Sequence, residues 1–325
     1  MKIKIIGKTK MFRLSGNDEL EFAPGWRFTC DPACRDYDWL VCFDDLSEPE
    51  TLACPRERTI LATWEPINIK VYSRPFVLQF GHYLTNRPPD AERHPHYHLG
   101  RGYFPWFVLR TLKDLAPDID TPRADTVTAI CSKKNMRHTA HHHRFALLSH
   151  LMDRLPGMTW YGFGFNRMED KFGTLRACKY HMAVENHIAP YHWSEKLPDA
   201  ILCECLPFYA GDPRLDEVLP AESFIPVPID DPAGAERIIR EAIARDEWTK
   251  RLPAIREAKR RLLSRYNFWA QVRDVIESAE GQAVAPFDPA RPVRLLPRRA
   301  LRLRHPLSAL ADIWTRMRIN MGLVR

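Results

Sequence analysis

The chain has 325 residues, 45% hydrophobic, 27% charged and 11% aromatic, enough to bury the cores of two domains. This composition excludes a small disulfide- or zinc-stapled scaffold and a disordered chain, and the apolar runs are interrupted too often for a membrane span. The formal charge of +7 lies entirely after residue 285, where nine arginines between Arg291 and Arg325 face only Asp288 and Asp312. The body is therefore formally neutral, which disfavours nucleic acid as a partner and points the tail toward an anionic membrane surface.

The chain opens on Met1-Lys2-Ile3-Lys4-Ile5-Ile6-Gly7, a short strand-like run without a long apolar h-region or cleavage site, so neither a signal peptide nor an anchor is expected. Eight cysteines are scattered without a framework, several in apolar runs such as Trp39-Leu40-Val41-Cys42-Phe43. They predict reduced core thiols and a cytoplasmic location. Apolar runs at 2–6, 39–43, 59–63 and 76–80 predict strands of an α/β or sheet-rich unit. A loop dense in Pro, His and aromatics follows at 88–106, and Pro117-Asp118-Ile119-Asp120-Thr121-Pro122 is the expected linker.

Beyond it the pattern alternates. Strands are expected at 126–131, 159–162, 180–184 and 206–210, with helices at 144–155 and 195–203. Such alternation predicts a parallel sheet covered by helices, with ligand contacts at the carboxyl ends of its strands. Two more helices are expected at 233–246 and 249–280, the second with an apolar stripe and an ordinary solvated basic face. The predicted division is 1–117, 118–285 and a tail at 286–325.

Most signatures of known chemistry are missing: no Walker loop, no strand-turn-helix Gly-x-Gly-x-x-Gly, no Gly-x-Ser-x-Gly and no His-Glu-x-x-His. Tyr161-Gly162-Phe163-Gly164 either lets backbone approach a phosphate or forms a plain turn. His94, His96 and His98, and His138, His141, His142 and His143, lack carboxylates or thiolates at a recognised ligand spacing, so no metal site is predicted. Cys30-x-x-x-Cys34 and Cys203-Glu204-Cys205 carry no stronger metal signal.

The informative segment runs Val184-Glu185-Asn186, then Tyr191-His192-Trp193-Ser194-Glu195-Lys196, then Leu206-Pro207-Phe208-Tyr209-Ala210-Gly211. It reads as a strand ending in a carboxylate and an amide, a loop, a helix opening on Ser194, Glu195 and Lys196, and a strand ending in Gly. A helix N-terminus beside a Lys suits a diphosphate, and acids and amides suit sugar hydroxyls. The plainer alternative is a capping Ser with a solvent-facing acid and base.

These residues resemble the fucosyltransferases of glycosyltransferase family 10. That family's pattern is Phe-Glu-Asn, a loop, Tyr-x-Thr-Glu-Lys, a helix and a Val-Pro-Val-x-x-Gly strand. The resemblance spans about residues 126–227 and includes Ala221-Glu222-Ser223-Phe224-Ile225, similar to the family's Pro-x-Ser-Phe-Ile. Val184 stands where the family has Phe, His192 where it has Tyr with Tyr191 one place off, Ser194 for Thr and Asp199 for Asn.

The resemblance implies a GT-B-like α/β protein, two Rossmann-like domains facing a cleft, that transfers fucose from GDP-fucose with inversion to a glycan hydroxyl, of a lipopolysaccharide or other glycoconjugate. It implies that Arg144 and Lys196 hold the diphosphate, and that Glu185, Asn186, Tyr191, His192, Ser194 and Glu195 complete the donor site. Ala62-Thr63-Trp64-Glu65-Pro66 resembles the family's Glu-Pro segment, making Glu65 the expected base. No metal is expected to be obligatory, a divalent cation being at most stimulatory. Another nucleotide sugar on the same scaffold, or a non-catalytic glycan-binding or membrane-assembly protein, are the competing readings.

In the tail, Leu307, Leu310, Ile313, Trp314, Met317 and Met321 share one side at helical spacing beside Arg302, Arg304, Arg316 and Arg318, as expected of a peripheral helix on an anionic inner leaflet. A helix packed on the body or on a partner is the alternative. Deleting residues after Ala285 is expected to weaken membrane attachment alone.

Overall fold

The computed structural model describes residues 1–88, 94–132 and 140–320. The chain divides into two compact units, Met1–Tyr103 with Phe268–Arg325, and Phe104–Asn267. Both are built on parallel sheets.

The first unit opens with β1 (Lys2–Gly7), α1 (Lys10–Leu14), β2 (Glu19–Ala23), β3 (Trp26–Thr29), β4 (Trp39–Phe43), β5 (Glu50–Thr51), β6 (Thr59–Thr63), α2 (Arg74–Val77), β7 (His82–Thr85) and β8 (Tyr97–Leu99). Its main sheet has the order β2-β3-β1-β4-β6-β7-β8, parallel except for the β2–β3 edge hairpin. β4 and β6 are buried along their whole length, as their unbroken apolar runs require of central parallel strands. Strands are added to one side of β1 and then to the other, and an open parallel sheet leaves a crevice at the carboxyl ends at such a switch. Gly7 closes β1 at φ +89°, where a Cβ would lie 2.4 Å from the Phe43 carbonyl oxygen.

Residues 76–80, expected as a strand, lie instead across α2 and its C-terminal turn. Pro75 sits in the first helical turn, where its missing N–H is harmless. Phe76, Val77 and Phe80 then enter the core together, which helical spacing allows and alternation does not.

Of the three clustered histidines, His98 belongs to this sheet, and His94 and His96 lie in the turn that leads into it. His98 lies on β8, its Nε2 3.1 Å from His82 Nδ1 on β7, and the His94 ring accepts from the His96 N–H at 3.0 Å. No group of three His, Cys, Asp or Glu is placed to hold a metal among the described residues; His138 lies outside them. Burial, with the neighbouring imidazoles, lowers His82 and His98 from 6.5 to about 4. Unfolded imidazoles therefore take up protons near 6.5 and folded ones only near 4. The first unit should lose stability as pH falls through that window and keep it in full above 6.5. His98→Gln should flatten the slope, read as the urea midpoint followed from neutral pH down to about pH 4; an unchanged slope would show that other groups set the acid limb.

The second unit carries α3 (Leu112–Leu115), β9 (Ala124–Ile130), α4 (His141–Arg154), β10 (Thr159–Tyr161), α5 (Lys171–Arg176), β11 (Cys178–Val184), α6 (Lys196–Leu202), β12 (Leu206–Ala210), β13 (Ile225–Pro226), α7 (Pro232–Ala244) and α8 (Glu247–Ser264). Its five strands are all parallel in the order β10-β9-β11-β12-β13. This doubly wound order has its switch point between β9 and β11. The alternation expected over residues 126–210 is present, with boundaries shifted by one to three residues.

The expected linker at 117–122 is part of this unit. The Lys259 ammonium donates to the Pro117 carbonyl at 2.6 Å, the Ile119 N–H donates to Glu204 at 2.9 Å, and Arg256 pairs with Asp120 at 2.8 Å. Lys259 and Arg256 also pair with the buried Glu204, so part of the supposed solvated face of the long helix is a buried ionic clasp. The first boundary falls at Tyr103/Phe104 instead.

The single helix expected at 249–280 is two, α8 and α9 (Phe268–Ser278). The Asn267 amide donates to the Leu262 and Leu263 carbonyls at 3.0 and 2.9 Å and closes α8. The chain then returns to the first unit through α9, β14 (Arg294–Leu295), α10 (Arg298–Arg304) and α11 (Pro306–Asn320). β14 pairs with β5, and Leu295 and Leu301 join the first unit's core. The front half of the tail is thus structural, and deleting residues after Ala285 removes part of a fold rather than an appendage. The back half matches the amphipathic expectation, with Leu307, Leu310, Ile313, Trp314 and Met317 exposed on α11; Met321 lies outside the described residues. No helix among the described residues is long and apolar enough to cross a membrane. All eight cysteines are free, six of them buried.

Candidate active site

In the second unit the carboxyl ends of β9, β11 and β12 bring together residues far apart in sequence. Glu185 follows β11 and is 1% exposed. Its carboxylate accepts the Ser194 N–H at 2.8 Å and the Ser194 hydroxyl at 2.6 Å. The Lys196 ammonium donates to Ser194 Oγ at 2.8 Å and lies 3.2 Å from Glu195 and 3.6 Å from Glu185. Ser194 therefore does not cap α6: its side chain is spent on Glu185, and the capping alternative falls.

Arg144 occupies the first turn of α4 and is buried, its guanidinium bonded to the Asn186 side-chain oxygen. The Ala140 N–H donates to the Asn186 carbonyl at 3.1 Å, so the loop after β11 is clipped to the start of α4 across the switch point. Arg144 is near enough for its charge to oppose protonation of Lys196. Burial also disfavours the ammonium, but Glu195 and Glu185 outweigh both and hold Lys196 above its ordinary value. Burial raises Glu185, with Lys196 opposing. For Glu195 burial is overcome by Lys196 and Lys171, which bring it down to about 2. The site thus keeps a charged lysine and a charged Glu195 across the neutral range.

His192 is buried, its ring 5.7 Å from Phe104 and 5.3 Å from His187. Tyr191 has φ +66°, and its hydroxyl and ring both engage Arg214. Asp199 pairs with Lys171 at 2.6 Å and accepts the Phe107 N–H on both oxygens, at 3.1 and 3.2 Å. Burial, against Lys171, raises its carboxyl to about 6. It is committed to internal contacts.

A pocket of about 620 Å³ lies beyond β12 and β13. Ile188, Leu215, Phe224 and Ile225 wall it, with Asp212, Glu222 and Arg251 among its polar groups. Gly211 joins it to the charged cluster: a Cβ there would lie 2.8 Å from Glu185 Cγ and 2.1 Å from the Tyr209 hydroxyl. Sequence reasoning missed Asp212, Arg251 and Cys131, whose thiol follows β9 and feels both Arg144 and Lys196. The Gly-Asp-Pro turn after a fully apolar strand was the available signal for Asp212. Gly162 has φ +128°, and a Cβ would meet the Cys131 carbonyl oxygen at 2.4 Å; its role is tight packing against the end of β9.

Of the expected site residues, only Glu65 belongs to the first unit. It follows β6 and is half-buried, with its carbonyl accepting Arg87 Nε at 3.1 Å and Nη2 at 2.7 Å.

No protein-family model matches the sequence, and no curated protein matches it. Solved structures do. HepE of Anabaena in complex with UDP-glucose is similar at a TM-score of 0.50 and 12% identity, over 86% of this chain and 99% of that one. Sucrose-phosphate synthase of Thermosynechococcus elongatus is similar at 0.50 and 10% identity, over 86% and 98%. An alpha1,3-fucosyltransferase with GDP-fucose aligns at 0.49 and 14% identity, over 89% and 93%. At these identities the likeness is one of fold, and it defines the class: an α/β chain of two Rossmann-like units, the GT-B architecture.

Proposed function

We propose that the chain is an inverting glycosyltransferase that binds a nucleoside-diphosphate sugar in its second unit. The observation that carries this reading is the convergence of Lys196 and Arg144 with Glu185, Asn186, Ser194 and Glu195 at the switch point of a doubly wound sheet. Two cations, the buried guanidinium of Arg144 and the partly exposed ammonium of Lys196, suit the oxygens of a diphosphate and its developing charge on departure. They supply the charge that a divalent cation would otherwise provide, so no metal is made obligatory. The adjoining pocket, apolar-walled with a few acids, suits the base and ribose. HepE, of the same fold, is described with UDP-glucose. The resemblance of Glu185-Asn186, Ser194-Glu195-Lys196 and Ser223-Phe224-Ile225 to the pattern of the family 10 fucosyltransferases favours GDP-fucose over UDP-glucose as the donor.

Glu65 in the first unit is the proposed base, taking the proton of the acceptor hydroxyl as that oxygen attacks the anomeric carbon and the nucleoside diphosphate leaves. The acceptor is a glycan hydroxyl, as of a lipopolysaccharide or glycolipid. The exposed apolar face of α11, flanked by Arg316 and Arg318, supports a cytoplasmic enzyme held peripherally on an anionic leaflet. Cosedimentation with phosphatidylglycerol but not phosphatidylcholine vesicles is expected, and equal recovery with both removes the surface.

The donor reading is tested by calorimetric titration with GDP, GDP-fucose, GDP-mannose and UDP-glucose. Tighter binding of the GDP compounds is expected. Preference for UDP-glucose would keep the scaffold and remove the fucose assignment, and absence of binding by any of them would favour a non-catalytic glycan-binding protein.

A further inference from the structure

The segment between β6 and α2, residues 64–73, carries Glu65 and has no sheet or helix ladder of its own. Its internal bonds are few: the Ile69 and Lys70 N–H groups both donate to the Pro66 carbonyl at 3.0 Å. A loop of this kind keeps one conformation only if its remaining backbone groups find partners elsewhere. Here two guanidinium groups supply partners for three of its carbonyls, those of Glu65, Lys70 and Val71.

Arg87, just after β7, donates to the carbonyls of Glu65 and Lys70 and stacks 4.6 Å from the centre of the Tyr72 ring. Arg298 comes from α10, 227 residues beyond Val71 in the chain. It donates to the Val71 carbonyl at 2.5 Å, pairs with Asp45 at 3.2 Å and lies 5.8 Å from the Tyr72 ring centre. Asp45 in turn pairs with Lys70 at 3.2 Å, and Lys70 with the buried Asp44 at 2.8 Å, which also accepts from the Tyr72 hydroxyl. The Arg298 backbone is held in place independently. Leu296 and Gln79 exchange two hydrogen bonds, at 2.9 and 2.8 Å, β14 pairs with β5, and Leu301 is buried with Tyr72 and Phe76.

We infer that Arg298 is a positioning residue: the C-terminal segment straps the loop that carries Glu65, and Arg298 is the contact through which it does so. The inference rests on the proposed role of Glu65 for its catalytic consequence, but not for its structural one. A guanidinium suits this place better than an ammonium because its planar fork bonds a carbonyl and a carboxylate in fixed directions while its face lies against a ring.

Full-length Arg298→Met and Arg298→Lys, with exposed Arg299→Met as control, are compared by hydrogen exchange and by the rate at which GDP-fucose releases GDP to water. In Arg298→Met the amides of residues 67–73 should exchange roughly tenfold faster or more, as expected for a lost charge-assisted hydrogen bond, while those of β4 and β6 keep their protection. GDP release should slow with the donor KM unchanged, Arg298→Lys should lie between, and Arg299→Met should match the parent. Unchanged protection of 67–73 in Arg298→Met overturns the inference, and so does an equal loss across the whole first unit, which would make Arg298 an ordinary fold contact. The exchange result stands apart from the role of Glu65: if Glu65→Gln leaves GDP release intact, the base assignment fails while exchange in 67–73 still decides the strap.

Discussion

Glu65→Gln is expected to lower sugar transfer by roughly 10²- to 10⁴-fold while leaving donor affinity within a factor of about two. The amide is nearly isosteric with the carboxylate and does not touch the carbonyl through which Arg87 holds residue 65, so the loop should keep its place. What disappears is the acceptor for the hydroxyl proton. An inverting displacement needs that acceptor on the face away from the leaving diphosphate, and only the transition state feels its loss. The signature is therefore a fall in kcat without a rise in donor KM. A glycan-binding protein without turnover would show no catalytic difference between parent and variant, and a parent enzyme matched by the Gln variant would move the base elsewhere.

Lys196→Ala should weaken GDP binding by roughly 10- to 150-fold, the equivalent of about 1.5–3 kcal/mol for a charge-assisted hydrogen bond. The ammonium is the hub of its cluster, touching Ser194, Glu195 and Glu185 within 3.6 Å. Removing it leaves two carboxylates at the proposed diphosphate site, so the expected penalty combines a lost attraction with a new repulsion. Lys196→Arg should recover most of the affinity because the charge remains. Arg144→Ala should weaken binding in the same direction and also free Asn186, whose side chain it holds. Unaltered GDP affinity in Lys196→Ala, confirmed as folded by its melting curve, would dismantle the donor-site assignment.

Much of the second unit was legible in the sequence because its strands are short, largely apolar runs that alternate with helical stretches. Leu206–Ala210 is buried throughout and begins and ends where the apolar run does. The pairing of Glu185 and Asn186 with Ser194 to Lys196 was legible as spacing, and the parallel sheet made it geometry. The first unit was harder to read. Residues 76–80 look like a strand because Phe76, Val77 and Phe80 are apolar in either conformation, and only packing with Tyr72 and Leu301 selects the helix. The strands carrying His82 and His98 hide their apolar character behind imidazoles that burial keeps neutral.

Unit boundaries were misplaced for a related reason. Pro117 to Pro122 has the composition of a linker, yet its backbone is held by Glu204 and Lys259, charged residues that a linear reading assigns to solvent. The break at Asn267 is a single side chain turning back on two carbonyls, invisible in an apolar periodicity that continues across it. Local pattern by itself determined the α/β class, the parallel second sheet and the apolar spacing at the end of the tail, because each depends on neighbours within a strand or helical turn, whereas the candidate donor residues rested on a resemblance to a family pattern. Only the tertiary structure decided which unit the tail's front half joins, that Ser194 serves Glu185 rather than a helix cap, and that Arg298 reaches the Glu65 loop. Those depend on buried polar and apolar groups finding partners that lie from nine to more than two hundred residues away, where desolvation forces a choice that sequence distance does not record.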